Sequence, residues 1–169
     1  YIPTNGSSVT RSAETCNGSG DANTFNDSEG VLYADCKLLS NESTLTAITI
    51  SDGTDQNRVI IDFGSALDRI RFFVISGGVI SYTYADTSFD LTSFNKLAIK
   101  YSLSDFSVCI NGVLLDFGAG LSGGLTPLNL SRLALDRADG GSYIFKGNVK
   151  DVRVYNKALT DAELAALTS

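Results

Sequence analysis

The stretch between residues 70 and 84 reads IRFFVISGGVISYTY and predicts a β-hairpin. Its β-branched and aromatic residues are frequent in strands, and the pair Gly77-Gly78 is typical of a tight two-residue turn. If these two glycines form the turn, Phe73 lies opposite Tyr82 and Arg71 lies opposite Tyr84. Because side chains alternate between the two faces of a strand, this register determines which residues share a face.

The predicted register gives the hairpin one apolar face and one mixed face. The apolar face, which we expect to join the core, comprises Ile70, Phe72, Val74, Val79, Ser81 and Thr83. The mixed face comprises Arg69, Arg71, Phe73, Ile75, Ile80, Tyr82 and Tyr84. Aromatic rings beside guanidinium donors suit a sugar, since rings stack on its C–H face and donors bind its hydroxyl groups. The alternative is that Phe73 and Tyr82 belong to the core.

The rest of the chain repeats the pattern of short strand-like segments separated by polar turns. Besides the hairpin strands at 68–76 and 78–85, the predicted strands span residues 30–38, 44–51, 57–64, 95–102, 105–111, 112–117, 129–136 and 143–155. One helix is predicted from Thr160 or Asp161 to Leu167, because Thr160 and Glu163 form a capping box. The sequence therefore predicts an all-β fold, a two-sheet antiparallel β-sandwich with one short C-terminal helix.

Composition restricts the partners. The 169 residues correspond to a single domain, 1–169, and 43% of them are hydrophobic, enough for a sizeable core. With 13 Lys and Arg against 19 Asp and Glu, the net charge is −6, which argues against nucleic acid or an anionic membrane as partner. A neutral or weakly charged glycan fits better, unless Arg69, Arg71 and Lys100 gather into one basic patch. No apolar run reaches the length of a membrane span and no targeting signal is visible, while the abrupt start at Tyr1 is typical of a module from a longer protein.

The chain lacks the residues that common catalytic and metal sites need. It contains no histidine, which excludes Ser-His-Asp and Cys-His catalysis and imidazole metal ligands. Its four glutamates, Glu14, Glu29, Glu42 and Glu163, form no carboxylate pair at strand spacing, so glycoside hydrolysis is not expected. Loop carboxylates such as Asp52, Asp55, Asp136 and Asp139 can bind calcium, but we favour solvated turns and predict no cofactor.

Three cysteines cannot all pair within one chain. Cys36 and Cys109 lie in strand-like segments, where a buried free thiol is expected. A bridge between Cys16 and Cys36 is the alternative.

The C-terminal run from Gly147 to Leu164, GNVKDVRVYNKALTDAEL, resembles the closing strand and helix of concanavalin A-like and laminin G-like jelly rolls. Further matches are YIPT at 1–4, SEG at 28–30, ISDGT at 50–54 and INGV at 110–113. The combination is similar to modules appended to bacterial polysaccharide-degrading enzymes and to phage structural and tail proteins. The resemblance implies a sandwich that binds glycans in many members. The acidic signature of related glucanases is missing, and Lys150 stands where relatives with a structural calcium often have Asp.

We therefore predict a noncatalytic carbohydrate-binding module, not an enzyme, that attaches a parent polysaccharide-degrading enzyme to a polysaccharide or cell-surface glycan outside the cell. The alternative is an attachment or assembly domain of a phage virion or an adhesin. The predicted ligand-binding residues are Arg71, Tyr82, Tyr84, Asp136, Arg137, Asp139 and Tyr143. The competing interpretation places both hairpin tyrosines in the core and pairs Asp136 with Arg137 as a structural ion pair.

Overall fold

In the part of the chain that the structure describes, the fold consists of two antiparallel five-stranded sheets with one helix. The computed structural model describes residues 19–40, 45–64, 68–86, 89–103, 105–115, 125–138 and 143–169. Sheet A has the strand order β10-β1-β6-β7-β8, and sheet B has the order β5-β4-β3-β2-β9. The predicted two-sheet sandwich is confirmed.

The described elements follow the predicted segments closely. The strands are β1 (Gly30–Leu38), β2 (Thr46–Ser51), β3 (Arg58–Phe63), β4 (Ile70–Ser76), β5 (Val79–Asp86), β6 (Asn95–Tyr101), β7 (Ser107–Ile110), β8 (Val113–Leu115), β9 (Arg132–Ala134) and β10 (Gly147–Tyr155), and the helix is α1 (Asp161–Thr168). The largest differences are at β9 and β10, which are shorter than the predicted segments at 129–136 and 143–155. The flanking residues Asp136 and Tyr143 instead belong to the connection between these strands.

The core lies between the two sheets and is built from alternate residues of each strand. Leu32 and Ile99 contribute from sheet A, and Ile48, Ile61 and Phe72 from sheet B, all with no exposed surface. Burial of such side chains stabilises the fold by roughly 1.5–3 kcal/mol each. The opposite face of each strand is therefore available for other roles.

A β-bulge in the β4–β5 hairpin corrects the predicted register. Gly77 and Gly78 form the turn, with positive φ values of 59° and 77°, and Ile75 pairs with Ile80 as expected. Val74 then pairs with Tyr82, so Ser81 is an extra residue on β5. An extra residue moves every later side chain of the strand to the other face.

The bulge makes the predicted mixed face wrong beyond the turn. Tyr82 is 3% exposed and stacks on Phe106 in the core, and Tyr84 packs its ring against Phe72. Both tyrosines thus share the core face of β4 rather than the face of Arg71. Conversely, the predicted core residues Val79 and Thr83 are exposed, whereas Ile70, Phe72 and Val74 are buried as predicted.

Helix α1 covers part of the outer face of sheet A. The capping box is confirmed: the Thr160 hydroxyl accepts from the Glu163 backbone N–H, and the Glu163 carboxylate accepts from the Thr160 N–H. Leu164 is fully buried against Val31 and Ala98. The described residues contain no helix long and apolar enough to cross a membrane.

Two cysteines are buried free thiols, as predicted. Cys36 is 1% exposed and Cys109 has no exposed surface. Burial raises the pKa of the Cys36 thiol to about 12, which keeps it protonated and unreactive at neutral pH. The alternative bridge to Cys16 is not formed at Cys36, and Cys16 itself lies outside the described residues.

Candidate functional site

The outer face of sheet B, which points away from the core, carries an unusual mixture of charged and apolar side chains. Alternation along β3 directs Arg58, Ile60 and Asp62 to this face, while the residues between them enter the core. The floor of the face is an apolar cluster of Ala47, Ile60, Phe73 and Ile75. Charged groups set on an apolar floor interact more strongly than they do in open water.

Three arginines and one aspartate, here called the arginine cluster, meet on this face: Arg58, Asp62, Arg71 and Arg137. Asp62 and Arg71 are direct cross-strand partners, and the Arg71 Nη2 lies 2.8 Å from the Asp62 Oδ2. The Arg137 Nε donates to the same oxygen at 3.0 Å. The Arg58 Nη1 donates to the backbone carbonyl of Arg137 at 2.5 Å. Two guanidinium groups thus bind one carboxylate, and the Arg58 guanidinium binds the backbone of Arg137.

The arginine cluster is electropositive and not fully satisfied. Arg71 and Arg137 share the single carboxylate of Asp62, a local excess of positive charge in a chain whose net charge is −6. Asp62 has no exposed side-chain surface, whereas Arg71 and Arg137 are 17% and 21% exposed. Among the described residues, neither the Asp62 Oδ1 nor the Arg71 Nε has a hydrogen-bond partner. An anionic acceptor would find donors here that are already desolvated and oriented.

Burial and the two arginines act in opposite directions on Asp62. Burial raises the pKa of the Asp62 carboxyl above its ordinary value of 3.8, and the charges and hydrogen bonds of Arg137 and Arg71 oppose that rise. The two guanidinium groups at hydrogen-bond distance favour the charged form of the carboxyl, against the effect of its burial. Asp62 therefore acts as a fixed anchor that orients both arginines.

The segment that follows β9 folds across this face and brings Arg137 to it. The Thr49 hydroxyl donates to the Asp136 carbonyl at 2.6 Å, which fixes the segment to β2. The Asp136 carboxylate accepts from the Ala138 backbone N–H at 2.7 Å and forms an ion pair with Arg132 at 2.6 Å. Asp136 therefore holds the turn that positions Arg137.

Aromatic rings flank the guanidinium groups. The Arg71 guanidinium carbon is 5.1 Å from the centre of the Phe73 ring, and that of Arg137 is 5.7 Å from the Tyr143 ring. Such cation–π contacts hold the guanidinium planes in defined orientations. Tyr143 is half-buried, so part of its ring faces solvent.

The structure brings together only some of the predicted ligand-binding residues. Arg71, Arg137 and Tyr143 lie around Asp62, as one site requires. Tyr82 and Tyr84 lie on the opposite face of the sheet because of the bulge. Asp136 pairs with Arg132 rather than with Arg137, so the alternative ion pair is also incorrect. Asp139 lies outside the described residues.

Arg58 and Asp62 were not predicted, although the sequence carries a signal for both. In the segment RVIIDF at 58–63, alternation places Arg58 and Asp62 on one face and the apolar residues on the other. Pairing this strand with β4 sets Asp62 opposite Arg71. The alternation of charged and apolar residues along this strand is therefore the sequence signal for these two site residues.

The described residues contain no group of three or more Cys, Asp or Glu side chains that could hold a metal ion. Lys150, which stands at the place of a calcium ligand in some relatives, is the extra residue of a bulge in β10, since Asp35 pairs with Asp151 and Cys36 with Val149. Its ammonium group lies 3.8 Å from the centre of the Phe94 ring. The absence of a cofactor stays a prediction.

Comparison with solved structures shows the fold. The carbohydrate-binding module CBM40 of a Ruminococcus gnavus sialidase, bound to α2,6-sialyllactose, is 21% identical with a TM-score of 0.63, and the match covers 90% of this chain and 93% of that one. The NanB sialidase of Streptococcus pneumoniae is 15% identical with a TM-score of 0.67 over 90% of this chain. A pentraxin of Limulus polyphemus is 12% identical with a TM-score of 0.63, covering 83% of this chain and 70% of that one.

The extent of these matches separates binding modules from whole enzymes. The chain spans about a quarter of the length of the full sialidases, 27% in the case of NanB, but nearly all of the R. gnavus module. The R. gnavus module is thus comparable in length to this chain, whereas the sialidases are much longer.

Sequence comparison gives the family directly. No curated protein sequence matches the chain. Residues 21–165 match the family described as the concanavalin A-like lectin/glucanases superfamily, in its third laminin G group. Because the match covers most of the chain and the two-sheet sandwich agrees with it, the chain belongs to the concanavalin A-like lectin/glucanase superfamily.

Proposed function

We propose that the chain is a carbohydrate-binding module that binds a carboxylated sugar at the arginine cluster and thereby attaches a parent polysaccharide-degrading enzyme to a glycan outside the cell. The observation that carries the proposal is the convergence of Arg71 and Arg137 on the buried carboxylate of Asp62, with Arg58 bonded to the backbone of Arg137. This local charge favours an acidic sugar over the neutral glycan that the overall composition indicates. Lys100, by contrast, contributes nothing here, since it pairs with Asp105 and Asp161 beside α1.

The chemistry of the arginine cluster suits a carboxylate ligand. Guanidinium groups present parallel N–H donors whose spacing matches the two oxygens of a carboxylate. Asp62 occupies one edge of Arg71 and one edge of Arg137, which leaves other donors of both side chains for a ligand. The exposed part of the Tyr143 ring offers a surface for the C–H face of the sugar.

A structural neighbour supports this class of ligand. The R. gnavus module is bound to sialyllactose, whose sialic acid carries a carboxylate. The likeness in fold does not transfer individual residues at 21% identity, so the support comes from the agreement between that ligand class and the charge of the arginine cluster.

The test compares an acidic sugar with its neutral core. Binding of sialyllactose and of lactose to the isolated chain is measured by titration calorimetry for the wild type, Arg71→Ala and Arg137→Ala. We expect sialyllactose to bind in preference to lactose and each variant to weaken it by about tenfold or more, the usual effect of losing a hydrogen bond to a charged group.

Arg153→Ala is the matched control, because Arg153 is an exposed arginine of sheet A that pairs with Asp151. It should bind sialyllactose like the wild type. Equal binding of both sugars, or full binding by both cluster variants, would contradict the proposed site. Failure of a glycan array to retain the wild-type chain would instead favour the alternative role in virion or adhesin assembly.

A further inference from the structure

A second basic surface lies on sheet A, on the part of its outer face that α1 leaves uncovered. It consists of Lys37 on β1, Phe94 just before β6 and Lys150 on β10, and is here called the lysine–phenylalanine patch. Lys37 pairs with Asn148 on the neighbouring strand, and Cys36 pairs with Asn95, so Phe94 and the two strand lysines are neighbours across the sheet. Phe94 is 37% exposed.

One ring holds two cations in the patch. The Lys150 ammonium lies 3.8 Å from the centre of the Phe94 ring, and the Lys37 ammonium lies 5.3 Å from it. Cation–π contact orients an ammonium group but does not neutralise its charge. Two like charges are thus held close together, which is unfavourable until an anion joins them.

Neither Lys37 nor Lys150 forms an ion pair with a described acidic side chain. This is unexpected in a chain with 19 acidic and 13 basic residues, in which Arg71, Arg137 and Lys100 all form ion pairs with carboxylates. The acidic residues at neighbouring positions are Asp35, two residues before Lys37, and its cross-strand partner Asp151, which pairs with Arg153 at 2.6 Å. The patch is therefore a local positive surface on an acidic protein.

The geometry favours a ligand that lies on the outer face of sheet A rather than a peptide strand that pairs with the edge of the sheet. β10 is the edge strand of sheet A, and an added peptide strand needs a regular row of backbone donors and acceptors. The bulge at Lys150 interrupts that row, as bulges on edge strands do. The lysines and the ring, in contrast, present an open surface on the face itself.

From these observations we infer that the lysine–phenylalanine patch binds a polyanionic glycan through its carboxylate or sulfate groups. This site is separate from the arginine cluster and does not depend on the proposed function there.

The experiment measures affinity for polymers whose anionic groups differ. Polygalacturonate supplies carboxylates, dextran sulfate supplies sulfates, and poly-L-glutamate is a polypeptide of similar charge. Each is titrated against the wild type, Lys150→Ala and the Lys37→Ala/Lys150→Ala double variant at several salt concentrations. We expect the double variant to lose about tenfold in affinity for at least one glycan polymer. The slope of log affinity against log salt concentration should become smaller by about one to two, because a variant with fewer lysine contacts displaces fewer counterions from the polymer.

Lys157→Ala is the matched control for Lys150→Ala, because Lys157 is also exposed and its removal changes the net charge equally. It should bind the polymers like the wild type, and Lys37→Arg/Lys150→Arg should retain most of the affinity. Sialyllactose binding should be unaffected by the patch variants, so failure of the arginine cluster and failure of the patch are distinguishable. Unchanged polymer affinity in the double variant would overturn the inference. Binding of poly-L-glutamate that is equally tight and depends on the patch lysines would also overturn it, because it would identify a surface for acidic proteins.

Discussion

Tyr82→Ala tests the β-bulge that separates the observed hairpin from the predicted one. Tyr82 is 3% exposed and stacks on Phe106, with ring centres 5.2 Å apart and planes inclined by 9°. Truncation of a buried aromatic side chain to alanine costs about 3–5 kcal/mol through lost burial and the cavity left behind. Because β5 is an edge strand that can relax, we expect a loss near the lower value, about 3 kcal/mol.

This loss has a direct thermal consequence. In a domain of this size each kcal/mol shifts the melting temperature by about 2–4 °C, so Tm should fall by roughly 6–12 °C. Urea unfolding gives the free energy independently. Binding of sialyllactose, measured well below Tm, should change less than about twofold, because the Tyr82 ring faces the core and not the arginine cluster.

Tyr143→Ala is the comparison variant, since Tyr143 is half-buried beside Arg137. It should weaken binding while lowering stability by less than about 1 kcal/mol, the usual range for substitutions of partly exposed residues. If Tyr82→Ala instead keeps its stability within about 1 kcal/mol and loses binding, the ring lies on the outer face and the predicted register is right after all.

The sequence was sufficient to predict the fold because its local signals agree with one another. The Gly77-Gly78 turn, the alternation along β1 and β4 and the Thr160 capping box each depend on residues close together in the chain. These signals do not depend on how the two sheets pack against each other. The ends of β9 were harder to predict, because Asp136 leaves the sheet to form a turn with Ala138.

The candidate site could be predicted only in part, because its geometry depends on a single inserted residue and on pairing between distant strands. Nothing local marks Ser81 as a bulge, since the segment ISYTY alternates without interruption. The packing of Tyr82 on Phe106 accompanies the change of face, and those two residues are far apart in sequence. Arg137 reaches Asp62 from 75 positions away, a contact that spacing along one strand does not reveal.

Four further predictions concern metal binding, the helix cap, the pH dependence of stability and the arginine cluster. Addition of a chelator should leave Tm nearly unchanged, and a fall of more than about 5 °C would reveal a structural ion. Thr160→Ala should cost about 1 kcal/mol in urea unfolding through loss of the helix cap. Hydrogen bonds from Thr92 and Ser93 lower the pKa of Asp90 to about 2. Ionised Asp90 therefore stabilises the fold above its ordinary pKa of 3.8, and this contribution is lost as pH falls toward 2. In Asp90→Asn, the free energy of unfolding should depend less on pH between these two values. Asp62→Asn removes the anchor between Arg71 and Arg137, and since both arginines are partly exposed we expect a loss of about 2–3 kcal/mol, below the range for a fully buried pair. A ligand carboxylate can replace the lost charge, so sialyllactose should raise the Tm of this variant by more than it raises that of the wild type; an equal rise in both would show that the ligand does not meet the arginine cluster.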